Sequence, residues 1–225
     1  DRARRRSRAT LSAALPGPLG ILGGTFDPVH HGHLRLALEV REALALASVC
    51  FMPAARSPLR DGARADASQR AAMLRAALAE CPGAGLDLDT RELERGGLSY
   101  TIDTLLALRA EHGTRPLCFI VGADAWNALP DWHRWRELLD HAHFVVASRP
   151  GADLRHHPET ASAWTTTPAA LHARPAGHVY ACAIPLLPIS STDIRARVAA
   201  TRSVHGLVMP AVAAIIARER LYAGR

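Results

Sequence analysis

Two stretches of this sequence carry residue types and spacings suited to holding a polyphosphate. The first is Gly23-Gly24-Thr25-Phe26-Asp27-Pro28-Val29-His30-His31-Gly32-His33-Leu34. Adjacent glycines let main-chain N–H groups come close to an anion. A helix opening at Gly32 adds its positive dipole end to the same point. His30 and His33 bracket Gly32, so both imidazoles can face one space and offer ring N–H donors to a phosphate. The same residues also read as plain turn geometry, or as metal ligands through His30, His31 and His33. No nearby cysteine or carboxylate cluster completes a tetrahedral set, so the expectation is no metal held by the protein itself. The run lacks the Gly-Lys-Ser/Thr ending of a P-loop and the spacing of G-x-G-x-x-G.

The second stretch is Ile189-Ser190-Ser191-Thr192-Asp193-Ile194-Arg195. Ser190 and Asp193 fit a helix-capping S-x-x-D, which alone could explain them. A helix start bearing the Ser191 and Thr192 hydroxyls, with Arg195 one turn on, is equally a cradle for phosphates. Aromatic residues are only 5% of the chain, so Trp132 and Trp135 so close together stand out. Trp135 reads as core. Trp132 suits stacking against a cationic ring.

These residues need elements to hold them. Short apolar runs predict strands at Leu19–Gly23, Ser48–Met52, Leu86–Leu88, Leu117–Val121, His143–Ala147 and Val179–Ile184. Helical spacing predicts helices over Gly32–Ala47, Ala67–Cys81, Tyr100–His112 and Trp132–Asp140, another from Ser190, and a C-terminal helix over Pro210–Tyr222. Arg149–His178 shows no period and reads as an irregular surface insertion, which a homo-oligomer could use as an interface. Strand and helix alternate, so the fold class is α/β: a Rossmann-like, doubly wound parallel sheet with helices on both faces and a C-terminal helical segment. Such sheets bind ligands at the carboxyl ends of their strands.

The first ten residues hold five arginines and one acid, so they carry +4 of the chain's +6. Residues 1–18 read as a disordered Arg-rich tail and 19–225 as a single domain. A nearly neutral body argues against nucleic acid as partner. No run approaches the length of a membrane span, and residues 10–15 are too short and weak for a signal peptide. Cys50, Cys81, Cys118 and Cys182 are scattered, without C-x-x-C, as expected of free thiols in a cytoplasmic protein.

With its glycine-rich strand end, the H-x-G-H of the first stretch resembles the nucleotidyltransferase superfamily. Together with I-S-S-T-x-I-R it is similar to the bacterial nicotinate mononucleotide adenylyltransferases. Four further stretches match that family in order: Ser99-Tyr100-Thr101 with Thr104, Phe119-Ile120-Val121-Gly122-Ala123-Asp124, Leu129 with Trp132 and Trp135, and Arg149-Pro150-Gly151. The likeness spans about residues 19 to 222. One stretch departs. Where the family often has P-x-x-x-P-P-H-K, this chain has Pro53-Ala54-Ala55-Arg56-Ser57-Pro58-Leu59-Arg60, in a sequence with no lysine at all.

The resemblance implies transfer of AMP from ATP, with Mg²⁺, to nicotinate mononucleotide. It implies that His33, with His30 beside it, acts on the α-phosphate. Gly23, Gly24, Thr25, Phe26, Gly122 and Asp124 would bind ATP, with Ser191, Thr192 and Arg195 on the departing pyrophosphate. Tyr100, Thr101, Trp132 and Arg60 would hold the acceptor. The same framework could serve nicotinamide mononucleotide or phosphopantetheine, or a nucleotide-binding regulator without catalysis.

Overall fold

The computed structural model describes residues 17–58, 62–149 and 151–224. Strands form at β1 (Leu19–Gly24), β2 (Ser48–Pro53), β3 (Leu86–Leu88), β4 (Leu117–Gly122), β5 (His143–Ser148), β6 (Trp164–Thr165) and β7 (Val179–Ala183). All pair in parallel, in the order β3-β2-β1-β4-β5-β7-β6. The order reverses between β1 and β4, which opens a crevice beyond their carboxyl ends.

A parallel sheet must be covered on both faces. The helices are α1 (His31–Ala43), α2 (Ala67–Ala79), α3 (Arg91–Arg95), α4 (Thr101–His112), α5 (Ala123–Asn127), α6 (Leu138–His141), α7 (Ala170–Ala173), α8 (Ser191–Ala199) and α9 (Pro210–Arg218). Alternate strand residues serve opposite cores, as the period of two requires. Leu22, Val49, Phe51, Ile120 and Val145 pack with Leu34 and Val40 of α1, Met73 and Leu74 of α2, and Val212 and Ile216 of α9. Ile21, Met52, Phe119, Val121 and Phe144 pack with Ile102 and Leu105 of α4, Trp126 of α5 and Leu138 of α6. Among the described residues, no helix is long and apolar enough to cross a membrane. Cys50, Cys118 and Cys182 are buried free thiols and Cys81 a half-buried one. Desolvation pushes the Cys50 and Cys118 thiols to about 12 and Cys182 to about 11, so none of the three is a nucleophile.

Besides adding the short helices α3 and α5 and ending α2 at Ala79, the structure departs from the sequence reading in four places. Helix α1 stops at Ala43 rather than Ala47, because Ala45 turns left-handed at φ 48°. The expected Trp132–Asp140 helix is broken by Arg134 at φ 52°, leaving one 3-10 turn, Trp135–Glu137, ahead of α6. Helix α9 ends at Arg218, and left-handed Arg220 and Tyr222 curl the chain back toward the sheet. The stretch after β5 is not a bare surface loop: it supplies β6, α7 and a 3-10 turn, Pro158–Ala163. It is also tied to α5, because the Trp126 indole N–H donates to the Arg155 carbonyl at 2.8 Å. Of the expected tail, residues 1–16 lie outside the described residues. Pro18 is buried, and its carbonyl accepts from Ala47 N–H at 2.9 Å.

His143, at the start of β5, is wholly buried. Its Nδ1 accepts from the His178 N–H at 3.0 Å, so the proton sits on Nε2, which donates to the Arg174 carbonyl at 2.8 Å. Burial lowers its pKa to about 4. Between about 6.5 and about 4 the unfolded chain takes up a proton that the folded chain refuses. Stability therefore falls as pH drops through that range. Urea denaturation at about pH 7 and about pH 5 should show the loss, and His143→Gln, which keeps a donor and an acceptor but does not titrate, should shrink it.

Candidate active site at the carboxyl ends of β1 and β4

The loop after β1 is shaped by close contacts that favour glycine. A Cβ on Gly23 would lie 3.2 Å from the Phe119 ring, and one on Gly24 would lie 3.1 Å from the Phe26 ring. Phe26 is left-handed at φ 51° and buried, 5.5 Å from Phe51 and edge-on to His33 at 5.0 Å. His30 caps the start of α1, and its ring stacks on that of His33 with centroids 3.7 Å apart. The His30 N–H donates to His33 Nδ1 at 3.3 Å, so a neutral His33 carries its proton on Nε2, as a donor. His30 is buried, and desolvation first, then His31, lowers its pKa to about 4. It is therefore a neutral platform behind His33. A Cβ on Gly32 would come within 3.0 Å of His30 Nδ1, so the glycine leaves room for that ring.

The second motif folds onto this loop from more than 160 residues away. Ser190 caps α8, its Oγ accepting from Asp193 N–H at 3.1 Å, so the capping reading holds. The Ser191 hydroxyl donates to the Pro28 carbonyl at 2.9 Å. Arg195 donates to the Asp27 carbonyl at 2.7 Å and to Thr192 Oγ1 at 3.2 Å. Ser191 and Arg195 thus hydrogen-bond the histidine loop, and Thr192 is tied to it through Arg195.

Three residues to which sequence reasoning gave no role hold that loop in place. The Asp27 carboxylate is buried and accepts from Arg64 N–H (2.7 Å), Ala65 N–H (3.1 Å) and the Tyr222 hydroxyl (2.6 Å). Burial and the Asp27 hydrogen bond together push the Tyr222 phenol far above its usual range. Arg70, in α2, is only 1% exposed. Its guanidinium donates to the carbonyls of Thr25 (2.8 Å), Ala54 (2.7 Å) and Ala55 (3.1 Å), stitching the loop after β1 to the segment after β2. Arg70 occupies an apolar position of α2, beside Ala71 and one turn from Met73 and Leu74. That misplaced charge was the one available sequence signal; Tyr222 offered none.

The other candidates lie along the same edge. Tyr100 caps α4 and Thr101 opens it, both half-buried, and the Tyr100 ring lies 4.5 Å from that of His133. Trp132 is half-buried and edge-on to Phe119 at 6.2 Å, while Trp135 is buried. Phe119 therefore touches both Gly23 and Trp132, linking the two ends of the crevice. Gly122 and Asp124 are exposed where β4 passes into α5, one strand over from β1. Arg60 lies outside the described residues.

Residues 21–197 match the cytidylyltransferase-like family. A Methylococcus capsulatus protein named a probable nicotinate-nucleotide adenylyltransferase is 49% identical over 91% of this chain and 99% of its own length. One of the same name from Aeromonas salmonicida is 44% identical, over 92% and 98%. Among solved structures, the Plasmodium falciparum nicotinic acid mononucleotide adenylyltransferase complexed with NaAD superposes with a TM-score of 0.71 at 16% identity, over 92% of this chain and 97% of that one. At that identity the likeness speaks for the fold.

Tyr222→Phe removes one donor from a buried carboxylate and should lower stability at about pH 8 by about 1.5–3 kcal/mol. A phenol whose folded pKa is raised keeps its contribution below about pH 10 and loses it above, where the unfolded chain ionises first. The variant should therefore show a shallower alkaline loss in urea denaturation, the remainder coming from Tyr180 and from the Cys50, Cys118 and Cys182 thiols, whose pKa values burial also raises.

Proposed function

This chain belongs to the cytidylyltransferase-like family, among its nicotinate-nucleotide adenylyltransferases, and we infer that it joins the AMP of ATP to the phosphate of nicotinate mononucleotide. A phosphate oxygen of the mononucleotide forms a new bond to the α-phosphorus of ATP as the bond to the β-phosphate oxygen breaks. Nicotinate adenine dinucleotide forms and pyrophosphate leaves. The observation that carries this reading is the His30–His33 pair stacked at the start of α1, with His30 held neutral by burial, on a loop hydrogen-bonded to Ser191 and Arg195 of α8.

The chemistry asks for positioning and charge stabilisation rather than a general base. A phosphomonoester with a second pKa of about 6 is already ionised at neutral pH. His33 would donate Nε2–H to an α-phosphate oxygen, where negative charge builds in the transition state. His30 would hold that imidazole in its tautomer. The main chain at Gly23, Gly24, Thr25 and Phe26 would bring N–H groups to the nucleotide phosphates. Ser191, Thr192 and Arg195, at the positive end of α8, would take the β- and γ-phosphates and keep them in line to leave. Mg²⁺ would enter as part of the substrate, MgATP, held by phosphate oxygens and water. Gly122 and Asp124 would face the adenosine. Trp132 would stack on the pyridinium ring, the N–H groups of Tyr100 and Thr101 would meet its carboxylate, and Arg60 would meet the acceptor phosphate.

The direct test is pyrophosphate release from MgATP with nicotinate mononucleotide, nicotinamide mononucleotide or phosphopantetheine as acceptor. Strong preference for the first is expected. Preference for another would overturn the acceptor pocket, and no release with any would overturn the reaction. In His33→Ala, kcat should fall about 10²–10³-fold while KM for ATP shifts only a few-fold. Equal losses in both would reduce His33 to a binding residue.

A further inference from the structure

One buried acid has no part in the reaction as described. Glu92, in α3, is only 8% exposed, and a carboxylate in such a place needs hydrogen bonds to offset its lost hydration. It has one from a buried hydroxyl. Thr104, wholly buried in α4, donates to Oε1 at 2.6 Å and accepts from Arg95 Nη2 at 3.0 Å. Because that hydroxyl already accepts from a nitrogen, it has its proton to give to Glu92. Ser99 also acts to lower the pKa of this carboxyl, and its Oγ accepts from Ala55 N–H at 2.9 Å. The Ser99 N–H donates to the Arg56 carbonyl at 2.9 Å. Burial raises the pKa of Glu92, and Thr104, Ser99 and Arg95 work against that rise.

Ser99 and Thr104 are the outer members of the Ser99-Tyr100-Thr101…Thr104 stretch, and Tyr100 and Thr101 lie between them at the first turn of α4. The N–H groups of a first turn have no partner within the helix. We propose that Glu92 is a positioning residue for the acceptor: by holding Thr104 it fixes the first turn of α4. Tyr100 and Thr101 then present their N–H groups to the pyridine carboxylate in one orientation. This rests on the acceptor reading given above for Tyr100 and Thr101.

Glu92→Gln tests it. The amide keeps the shape but gives up the charge, so the bond from the Thr104 hydroxyl is weakened. The expected result is a rise in KM for nicotinate mononucleotide of about tenfold, the scale of one lost hydrogen bond to a charged group. KM for ATP should stay near wild type, and the thermal midpoint should fall by only a few degrees. Thr104→Val should give the same acceptor-specific loss, and the double variant little more than either single one. Equal rises in both KM values would overturn the proposal, as would a lowered midpoint with the acceptor KM unchanged. If the wild type instead prefers an acceptor without a pyridine carboxylate, the functional reading falls separately. The same pair of KM values, measured on that acceptor and on ATP, then decides whether Glu92 positions it.

Discussion

The buried carboxylate of Asp27 is the constraint on which the candidate site depends. A charged oxygen pair shut away from water demands donors, and Asp27 draws them from two separate parts of the chain, the entry to α2 and the segment after α9, while Arg195 of α8 faces it as an ion pair at 3.9 Å. Each donor that answers brings its element with it. The loop between β1 and α1 therefore lies where the helices of one face meet, and His30 and His33 inherit their place from that arrangement.

The same logic recurs with the sign reversed. Arg70 gives its donors to three carbonyls of two loops, and Arg109 of α4 does likewise at the opposite end of the sheet, donating to the carbonyls of Gly113, Arg115, His141 and Pro175. A guanidinium suits this work because its donors lie in a rigid planar fork. Glu92 performs the corresponding task with acceptors. The crevice is therefore lined by groups suited to phosphates and a ring, and braced behind by charges bonded to main chain and hydroxyls. Pre-organisation of that kind lets donors meet charge as it forms, without rearranging at the moment of reaction.

Much of the architecture was legible in the sequence, for a physical reason. The strands are short apolar runs ended by glycine or polar residues, and each lies within a residue or so of its expected place. The His30-x-Gly32-His33 and Ser190–Arg195 motifs were legible too, because each is local and rests on a helix start. The braces were not. Asp27, Arg70, Glu92 and Tyr222 are residue types that usually face water, and their partners lie up to 195 positions away. Nothing in local periodicity reports such a pairing. β6 escaped notice for a different reason: two residues have no period, and only the edge of β7 makes them a strand.

The bond between Tyr222 and Asp27 also bears on how the molecule is made. A ribosome delivers the β1 loop early and Tyr222 some 195 residues later. A nascent chain can pair β1 with β2 and β4 well before that, yet its Asp27 must wait for the last donor. Assembly of the sheet and locking of the loop are thus separated in time. Locking depends on the segment beyond α9, so it takes place only once that segment has emerged.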